Sequence, residues 1–163
     1  MTPIEHIKNK ILTNENLLST IQKWKDNAEK IVFTNGCFDI LHQGHIDYLA
    51  KSKALGDRLI IGVNADTSIS RIKGKCRPIQ DEYSRLILLA SMEFVDAVVL
   101  FFEDTPYNLI FTIQPDVLVK GADYTPSEIV GYDIITKNGG EVVTIPFLKG
   151  YSTTKIIEKI LGK

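Results

Sequence analysis

The sequence contains few of the residues that mark specialised protein classes. Its 163 residues include two cysteines, two methionines and one tryptophan. Cys37 and Cys76 lack the spacing of a metal site or a disulfide framework, so we expect a reduced, cytoplasmic protein. Apolar runs such as residues 95–102 have the length of a strand and are far too short to span a membrane. The N-terminus has neither the basic flank nor the apolar stretch of a signal peptide.

An excess of charge of either sign is also missing. The chain carries 19 basic and 20 acidic side chains, for a formal net charge of −1. This balance gives no reason to expect a polyanionic partner, and we predict neither nucleic-acid nor membrane binding. A length of 163 residues with 44% hydrophobic residues instead suits one domain with a full core.

From Lys30 onward, short apolar runs alternate with amphipathic stretches. Five runs have the pattern of buried strands and begin at Ile31, Leu59, Val95, Val117 and Val142. Helices are predicted over residues 43–55, 81–92, 107–113, 133–137 and 153–161. Strands that are apolar throughout and separated by helices indicate a parallel sheet with helices on both faces. We therefore predict a Rossmann-like, doubly wound α/β fold with a five-stranded parallel sheet, whose ligands bind at the carboxyl ends of the strands.

Residues 1–28 differ from the rest of the chain. Their apolar side chains recur at roughly helical spacing between Ile4 and Trp24, among polar residues. We predict a helical N-terminal extension, interrupted or capped at Asn14 or Asn16, that lies against the domain or against a symmetry mate. Residues 29–163 are predicted to form the main domain.

The first predicted strand runs into a turn rich in glycine and histidine, residues 34–45. His42 and His45 are three residues apart at the start of a helix, so they lie on one face. Free backbone N–H groups in the first helical turn offer an anion site, and Gly36 and Gly44 allow close approach of a ligand. Two imidazoles at this place can donate hydrogen bonds to a phosphate that gains charge. The alternative is an ordinary strand-to-helix turn with a capping histidine.

Residues 35–39 and 42–45 together resemble the signature of nucleotidyltransferases with a HIGH-type motif, in their cytidylyltransferase-like branch. The resemblance continues in order through Lys73–Pro78, Glu103–Pro106, Pro115–Tyr124, Gly139–Val142 and Ser152–Thr154. Across residues 31–161 the set is most similar to the adenylyltransferases that make ADP-heptose from ATP and D-glycero-β-D-manno-heptose 1-phosphate. The resemblance implies direct in-line attack of the sugar phosphate on ATP, which brings Mg²⁺ with it, and makes residues 29–163 the nucleotidyltransferase domain.

The resemblance also implies roles for single residues. His42, His45 and Lys73 are expected to stabilise the α-phosphate during transfer. Contacts with the nucleotide are expected from Thr34, Asn35, Gly36, Phe38, Gly44, Arg77, Lys120, Gly121, Asp123, Ser152 and Thr153. Gly121 would let an adenine lie against the backbone. Ser152 and Thr153 would bind phosphates at a helix start, although helix capping alone explains one hydroxyl.

Asp39, Asp66 and Arg85 are expected at the acceptor or metal–nucleotide end of the site. For Asp39 we favour a structural role, in which its carboxylate accepts hydrogen bonds from the backbone of the histidine turn. Arg85 lies opposite the apolar face of its helix, so a surface salt bridge and phosphate binding are equally open. The aspartates form no dedicated metal cage, and Mg²⁺ is expected mainly through the phosphates of ATP.

Two alternatives accompany this interpretation. The first is a cytidylyltransferase for glycerol or ethanolamine phosphate, although the turn at residues 120–123 differs from that of many such enzymes. The second is a nucleotide-binding module without catalysis, against which the intact histidine pair argues. The resemblance further implies a homodimer and a product used for lipopolysaccharide-type glycan. Related chains are fused to a sugar kinase, for which 163 residues leave no room, so a separate heptose kinase and phosphatase are expected.

Overall fold

Six strands form one parallel sheet in the computed structural model, which describes residues 1–162. The strands are β1 (Ile11–Leu12), β2 (Ile31–Gly36), β3 (Arg58–Asn64), β4 (Ala97–Phe101), β5 (Val117–Gly121) and β6 (Glu141–Ile145). Their order across the sheet is β1-β4-β3-β2-β5-β6, and all neighbours run parallel. The prediction of a doubly wound parallel α/β fold is confirmed.

Eight α-helices connect and flank these strands. They are α1 (Pro3–Asn9), α2 (Asn14–Asp26), α3 (Gln43–Lys53), α4 (Asp66–Lys73), α5 (Glu82–Ala90), α6 (Tyr107–Ile113), α7 (Tyr132–Lys137) and α8 (Thr153–Ile160), with a 3-10 turn at Pro126–Glu128. The sequence pattern did not predict α4, which carries only two buried side chains, Ser68 and Ile69. None of the helices within residues 1–162 is long and apolar enough to cross a membrane.

The predicted number of five strands is wrong, because the N-terminal extension contributes a sixth. Ile11 and Leu12 of β1 pair with Val98 and Val99 at the free edge of β4. Two residues between helices are too short a run to show the alternation that identifies a strand. The next helix begins with a capping box, in which the Asn16 side chain accepts a hydrogen bond of 2.8 Å from the backbone N–H of Thr13.

The hydrophobic core has two halves, one on each face of the sheet. Alternate strand residues point to opposite faces. On one face, here called the α6 face, Phe33 and Leu118 pack against α2, α6 and α7. On the other, the α3 face, Val32 and Val119 pack against α3 and α5. Side chains of the extension belong to the core of the α6 face, since Leu17, Ile21 and Trp24 are all buried there.

The sheet separates into two halves between β2 and β5. Pairing of these strands is limited to Val32 with Val117 and Phe33 with Leu118. By contrast, β2 stays paired with β3 as far as Gly36, and β5 stays paired with β6 as far as Gly121. Because successive strands are added on opposite sides of this point, it is the topological switch point, where doubly wound sheets bind ligands.

Candidate active site

A cleft of about 460 Å³ opens between the carboxyl ends of β2 and β5. Ten of the predicted site residues line it: Asn35, Gly36, Phe38, Asp39, His45, Lys73, Arg77, Lys120, Gly121 and Thr153. Two others adjoin it, because His42 stacks on His45 and Ser152 directly precedes Thr153. The fold therefore brings most of the predicted residues to one place.

The histidine pair lies at the start of α3. His42 is the N-cap residue of the helix, and its ring stacks on that of His45 with centroids 3.8 Å apart. In both rings Nδ1 is buried and has no hydrogen-bond partner, which leaves Nε2 as the accessible nitrogen. Burial lowers the pKa of His45 to about 4, with the charges of His42 and Lys73 acting in the same direction. Burial also lowers the pKa of His42, so both rings are neutral hydrogen-bond donors near pH 7.

The residues before the histidines shape the turn that carries them. Phe38 has a left-handed backbone with φ of 48°, a costly conformation for a residue other than glycine. Its ring meets that of His45 edge-on at 5.4 Å and packs against Gly36, where a Cβ would lie 2.9 Å from the ring. A Cβ at Gly44 would likewise lie 3.0 Å from the His42 ring. Close packing of two aromatic rings thus explains both glycines.

Thr34 was expected to contact the nucleotide, but the structure buries it completely. Its Oγ1 shares a hydrogen bond of 2.8 Å with the hydroxyl of Tyr48, a buried residue of α3 that itself lines the cleft. Thr34 therefore links β2 to α3 beneath the site. Its side chain has no surface left for a ligand.

Asp39 holds the histidine turn against the basic loop that follows α4. Its carboxylate accepts hydrogen bonds from the backbone N–H groups of Ile79 and Gln80 and from Nε of Arg77 at 2.7 Å. Burial alone would raise the pKa of Asp39, but the Gln80 and Ile79 N–H groups and the Arg77 guanidinium together hold it below its usual range. Asp39 is only 2% exposed, and its backbone partners lie at residues 79–80, not in the histidine turn as predicted; this bonding supports a structural role.

Arg85 is fully buried, so its predicted position on the exposed side of the helix is wrong. Its guanidinium donates to the carboxylate of Asp66 at 2.8 Å and to the carbonyl oxygens of Cys37 and Gln80 at 2.7 and 3.2 Å. The side chain points inward because three carbonyl and carboxylate oxygens meet there and satisfy its charge. Arg85 therefore fixes three loops to one another and has no exposed surface for an acceptor or a metal–nucleotide complex.

The cleft wall at Gly121 is an aromatic ring supplied by another loop. An added Cβ at Gly121 would overlap the ring of Phe147, which also packs on Tyr48 with centroids 5.6 Å apart. The space where an adenine was expected to touch the Gly121 backbone is therefore filled by Phe147, which is 49% exposed and lines the cleft. Asp123, predicted nearby, is exposed and lies outside the lining.

The start of α8 closes the cleft above the histidine turn. The Ser152 hydroxyl caps the helix by accepting a hydrogen bond from the Lys155 N–H at 3.1 Å. The Thr153 hydroxyl donates to the carbonyl oxygen of Ile40 at 3.4 Å and so connects the helix to the turn. Lys73, the last residue of α4, is exposed and also lines the cleft. Cations and a positive helix end thus face the same space.

Among the lining residues that sequence reasoning missed are the aromatic side chains Tyr48 and Phe147. Tyr48 has an ordinary position on the apolar side of α3, and burial raises its pKa to about 12. Phe147 stands two residues after the end of β6, and position at a strand's carboxyl end is the one signal that could have identified it.

No group of three His, Cys, Asp or Glu side chains in residues 1–162 is arranged to hold a metal ion. The carboxylates of Asp39 and Asp66 are bonded to Arg77 and Arg85. These residues fit a magnesium ion that arrives on a nucleotide and takes most of its oxygen ligands from phosphates and water.

Comparison with known proteins identifies the family of the chain. The cytidylyltransferase-like family model matches residues 33–159. The bifunctional protein HldE of Campylobacter jejuni is 53% identical over 154 residues, which make up 94% of this chain and 32% of that protein. HldE of Wolinella succinogenes is 50% identical over 153 residues, or 94% of this chain and 31% of that protein. The chain therefore spans about a third of the length of these relatives.

Solved structures give the same result. The lipopolysaccharide core biosynthesis protein of Thermoplasma volcanium superposes with a TM-score of 0.61 at 37% identity, covering 76% of this chain and 99% of that one. The pantoate-β-alanine ligase of Francisella tularensis, at 18% identity and a TM-score of 0.63, shares the fold over 94% of this chain and 78% of its own. The family match spans most of the chain and includes the histidine turn, the basic loop and the start of α8. The chain belongs to the cytidylyltransferase-like family of nucleotidyltransferases.

Proposed function

We propose that the chain is an adenylyltransferase that joins ATP and D-glycero-β-D-manno-heptose 1-phosphate to give ADP-heptose and pyrophosphate. The observation that carries the proposal is the stacked, neutral pair of His42 and His45, whose accessible nitrogens lie beside a cleft bordered by cations and the start of α8. A binding module needs no such pair of donors. A phosphoryl group that gains charge during transfer does.

The reaction is a single in-line displacement. A phosphate oxygen of the sugar attacks the α-phosphorus of ATP, and the bond from that phosphorus to the bridging oxygen breaks. The electron pair leaves with pyrophosphate. Because a phosphate monoester is already nucleophilic at neutral pH, no strong general base is required. Catalysis rests on positioning and on hydrogen bonds that strengthen as charge develops.

The residues of the cleft divide the work of binding ATP. The Nε2–H groups of His42 and His45 donate to the α-phosphate, and the Lys73 ammonium offsets its charge. The β- and γ-phosphates lie at the start of α8, where backbone N–H groups of the first turn donate to them and the Thr153 hydroxyl turns from the Ile40 carbonyl to do the same. Arg77 keeps terminal N–H groups for a phosphate, because only its Nε is bonded to Asp39. Magnesium, bound by the phosphates, neutralises part of their charge.

The adenine lies against the exposed part of the Phe147 ring. Stacking on an aromatic side chain needs no close approach to the Gly121 backbone, which Phe147 covers. The ring of Tyr48 supports Phe147 from behind. The base therefore lies in the region predicted near Gly121, but it contacts the Phe147 ring in place of the Gly121 backbone.

The choice of a heptose phosphate is supported by two lines. The motifs of residues 31–161 resemble those of heptose 1-phosphate adenylyltransferases. The Thermoplasma volcanium relative, 37% identical, is described as a lipopolysaccharide core biosynthesis protein. We propose that the product serves such a glycan, that kinase and phosphatase reactions supply the substrate separately, and that the protein acts in the cytoplasm as a homodimer.

Pyrophosphate release tests the reaction. ATP and CTP are offered separately, with Mg²⁺, against heptose 1-phosphate, glycerol 3-phosphate and ethanolamine phosphate. We expect release with ATP and the heptose alone. Release with CTP and a polyol or ethanolamine phosphate would make the chain a cytidylyltransferase. Nucleotide binding without release on any phosphate would indicate the non-catalytic module.

Substitution of the histidines tests the mechanism. His42→Ala and His45→Ala should each lower kcat about 10²–10³-fold, the usual effect of removing a donor to the transition state, with little change in ATP binding. His6→Ala is the matched control, because His6 lies exposed on α1. Near-normal turnover in both variants would contradict the assignment.

A further inference from the structure

Lys120 lies on the opposite side of the sheet edge from the histidines. Along β5, Leu118 belongs to the core of the α6 face and Val119 to that of the α3 face. By strand alternation Lys120 follows Leu118 onto the α6 face, whereas Gly121 faces Phe147 on the α3 face. Lys120 and Gly121 were predicted to contact the same nucleotide, but they face opposite sides of the sheet.

The Lys120 ammonium has no carboxylate to balance its charge. It forms no salt bridge and no hydrogen bond within residues 1–162, although its side chain is partly buried in the cleft lining. Burial lowers the pKa of Lys120 to about 8, so the side chain is mostly charged at neutral pH. By contrast, each of the three guanidinium nitrogens of Arg85, the other buried cation near the site, donates a hydrogen bond. A half-buried cation without an anion is costly unless a ligand supplies one.

Asn35 carries a second polar group without a partner on the α6 face. It follows Phe33 by two residues on β2, so it also belongs to the α6 face, across the gap from Lys120. Its Oδ1 is buried and accepts no hydrogen bond. The Lys120 ammonium can bind an anionic group, and the amide oxygen of Asn35 can accept a hydrogen bond from a hydroxyl beside it. The phosphate and the ring hydroxyls of a sugar phosphate have that chemistry.

The loops after β4 and β5 enclose this side of the cleft. Thr105 and Pro106 precede α6, while Ile129 and Val130 precede α7, and all four line the cleft. The cations that face ATP in the proposed function, Lys73 and Arg77, come from the end of α4 and the loop that follows it, and leave Lys120 unassigned. The cleft therefore has two positively charged regions, Lys73 with Arg77 and Lys120, which are separated by the ends of β2 and β5.

We propose that Lys120 binds the phosphate of the acceptor, with Asn35 accepting a hydrogen bond from an adjoining hydroxyl, so that the acceptor lies on the α6 side and the nucleotide on the α3 side. The proposal rests on the proposed function, since it names the acceptor subsite of that reaction. It also explains why the cleft lies at the gap between β2 and β5: the two substrates approach from opposite faces and meet there.

Steady-state kinetics of Lys120→Met separate the two substrates. We expect the KM for heptose 1-phosphate to rise at least about tenfold, the usual effect of losing a charge-assisted hydrogen bond to phosphate, while the KM for ATP stays within twofold. Lys120→Arg keeps the charge and should recover part of the affinity. Lys75→Met is the control, because Lys75 is exposed on the basic loop outside the cleft lining.

Calorimetric titration of the same variants with heptose 1-phosphate, glycerol 3-phosphate and inorganic phosphate needs no turnover. If another phosphate monoester proves to be the substrate, the heptose assignment fails, but a selective loss of that phosphate in Lys120→Met still supports the subsite. A rise in the KM for ATP alone would overturn the inference and return Lys120 to the nucleotide. Unchanged phosphate binding in a folded Lys120→Met protein, or no phosphate binding by the unaltered protein, would also overturn it.

Discussion

At the scale of single residues, the proposed function requires His42 and His45 to be two neutral donors. Burial and the neighbouring charges of His42 and Lys73 keep the pKa of His45 at about 4. We expect the ring of His45 to remain neutral from pH 8 down to pH 5 in an NMR titration. An inflection near the ordinary value of ~6.5 would contradict this environment.

The same shift affects stability. Because the folded pKa of His45 lies below its unfolded value, the unfolded chain binds the proton first as the pH falls. The contribution of His45 to stability is therefore largest above pH 7 and declines between about pH 6.5 and pH 4. Urea unfolding across this range, compared with a His45→Gln variant, should show a smaller pH dependence in the variant.

Asp39 is expected to be the carboxylate on which the site's geometry depends most. Asp39→Asn should destabilise the fold by about 3 kcal/mol, because it removes the negative partner of Arg77 and weakens the hydrogen bonds from the 79–80 backbone. Asp47→Asn, which breaks a surface pair with Lys51, should cost under about 1 kcal/mol. Urea denaturation measures both.

The difference in stability between the unaltered protein and Asp39→Asn should depend on pH in one direction. The folded pKa of Asp39 is lowered, so its stabilising contribution is present above the unfolded value of ~3.9 and is lost as the pH falls through the folded pKa. The gap in stability between the unaltered protein and Asp39→Asn should therefore narrow below pH 4. A constant gap down to pH 2 would exclude the ion pair as its source.

At the scale of elements, the loop between β6 and α8 joins the proposed base site at Phe147 to the proposed phosphate site at the start of α8. Gly121→Ala should push the Phe147 ring out of its place, since the new Cβ would overlap it. We expect the KM for ATP to rise several-fold. In a Phe147→Ala background the same change should have little further effect, because the clash no longer exists. Additive effects in this double-mutant cycle would separate the two residues.

At the scale of the whole molecule, the N-terminal extension and the sheet share one core. Leu17 is 2% exposed and packs in the same cluster as Phe33. Leu17→Ala should therefore cost about 2–5 kcal/mol, whereas Leu18→Ala, at 57% exposed, should cost under about 0.5 kcal/mol.

Trp24, the single tryptophan, allows one experiment to test whether the N-terminal extension and the sheet unfold together. It is buried in the extension, with the Arg58 guanidinium 5.3 Å from its ring. We expect its fluorescence and the far-UV circular dichroism to report one common unfolding transition. An earlier transition for Trp24 would mean that residues 1–28 unfold separately.

Much of this architecture was predictable from the sequence, because buried parallel strands leave strong apolar runs. The strand at Ile11–Leu12 was not, since two residues carry no period. Arg85 shows a second limit: the sequence pattern predicted that it lies opposite the apolar face of α5, whereas it shares the buried face with Leu86 and Leu89, where oxygens of three segments accept hydrogen bonds from its guanidinium. Phe147 shows a third, because contacts between distant loops leave no local pattern in either one.

The short pairing between β2 and β5 also has a mechanical consequence. Four strands on one side and two on the other are joined across the sheet by two residue pairs, as few as attach the short edge strand β1 to β4 and fewer than the five or six pairs at the other junctions. A load applied across the junction of β2 and β5 would part the half-sheets there before it separated β2, β3 and β4 from one another or β5 from β6. Two ligands that meet above this junction, each bound by residues of a different half of the sheet, would then link the halves and raise the force needed to separate them.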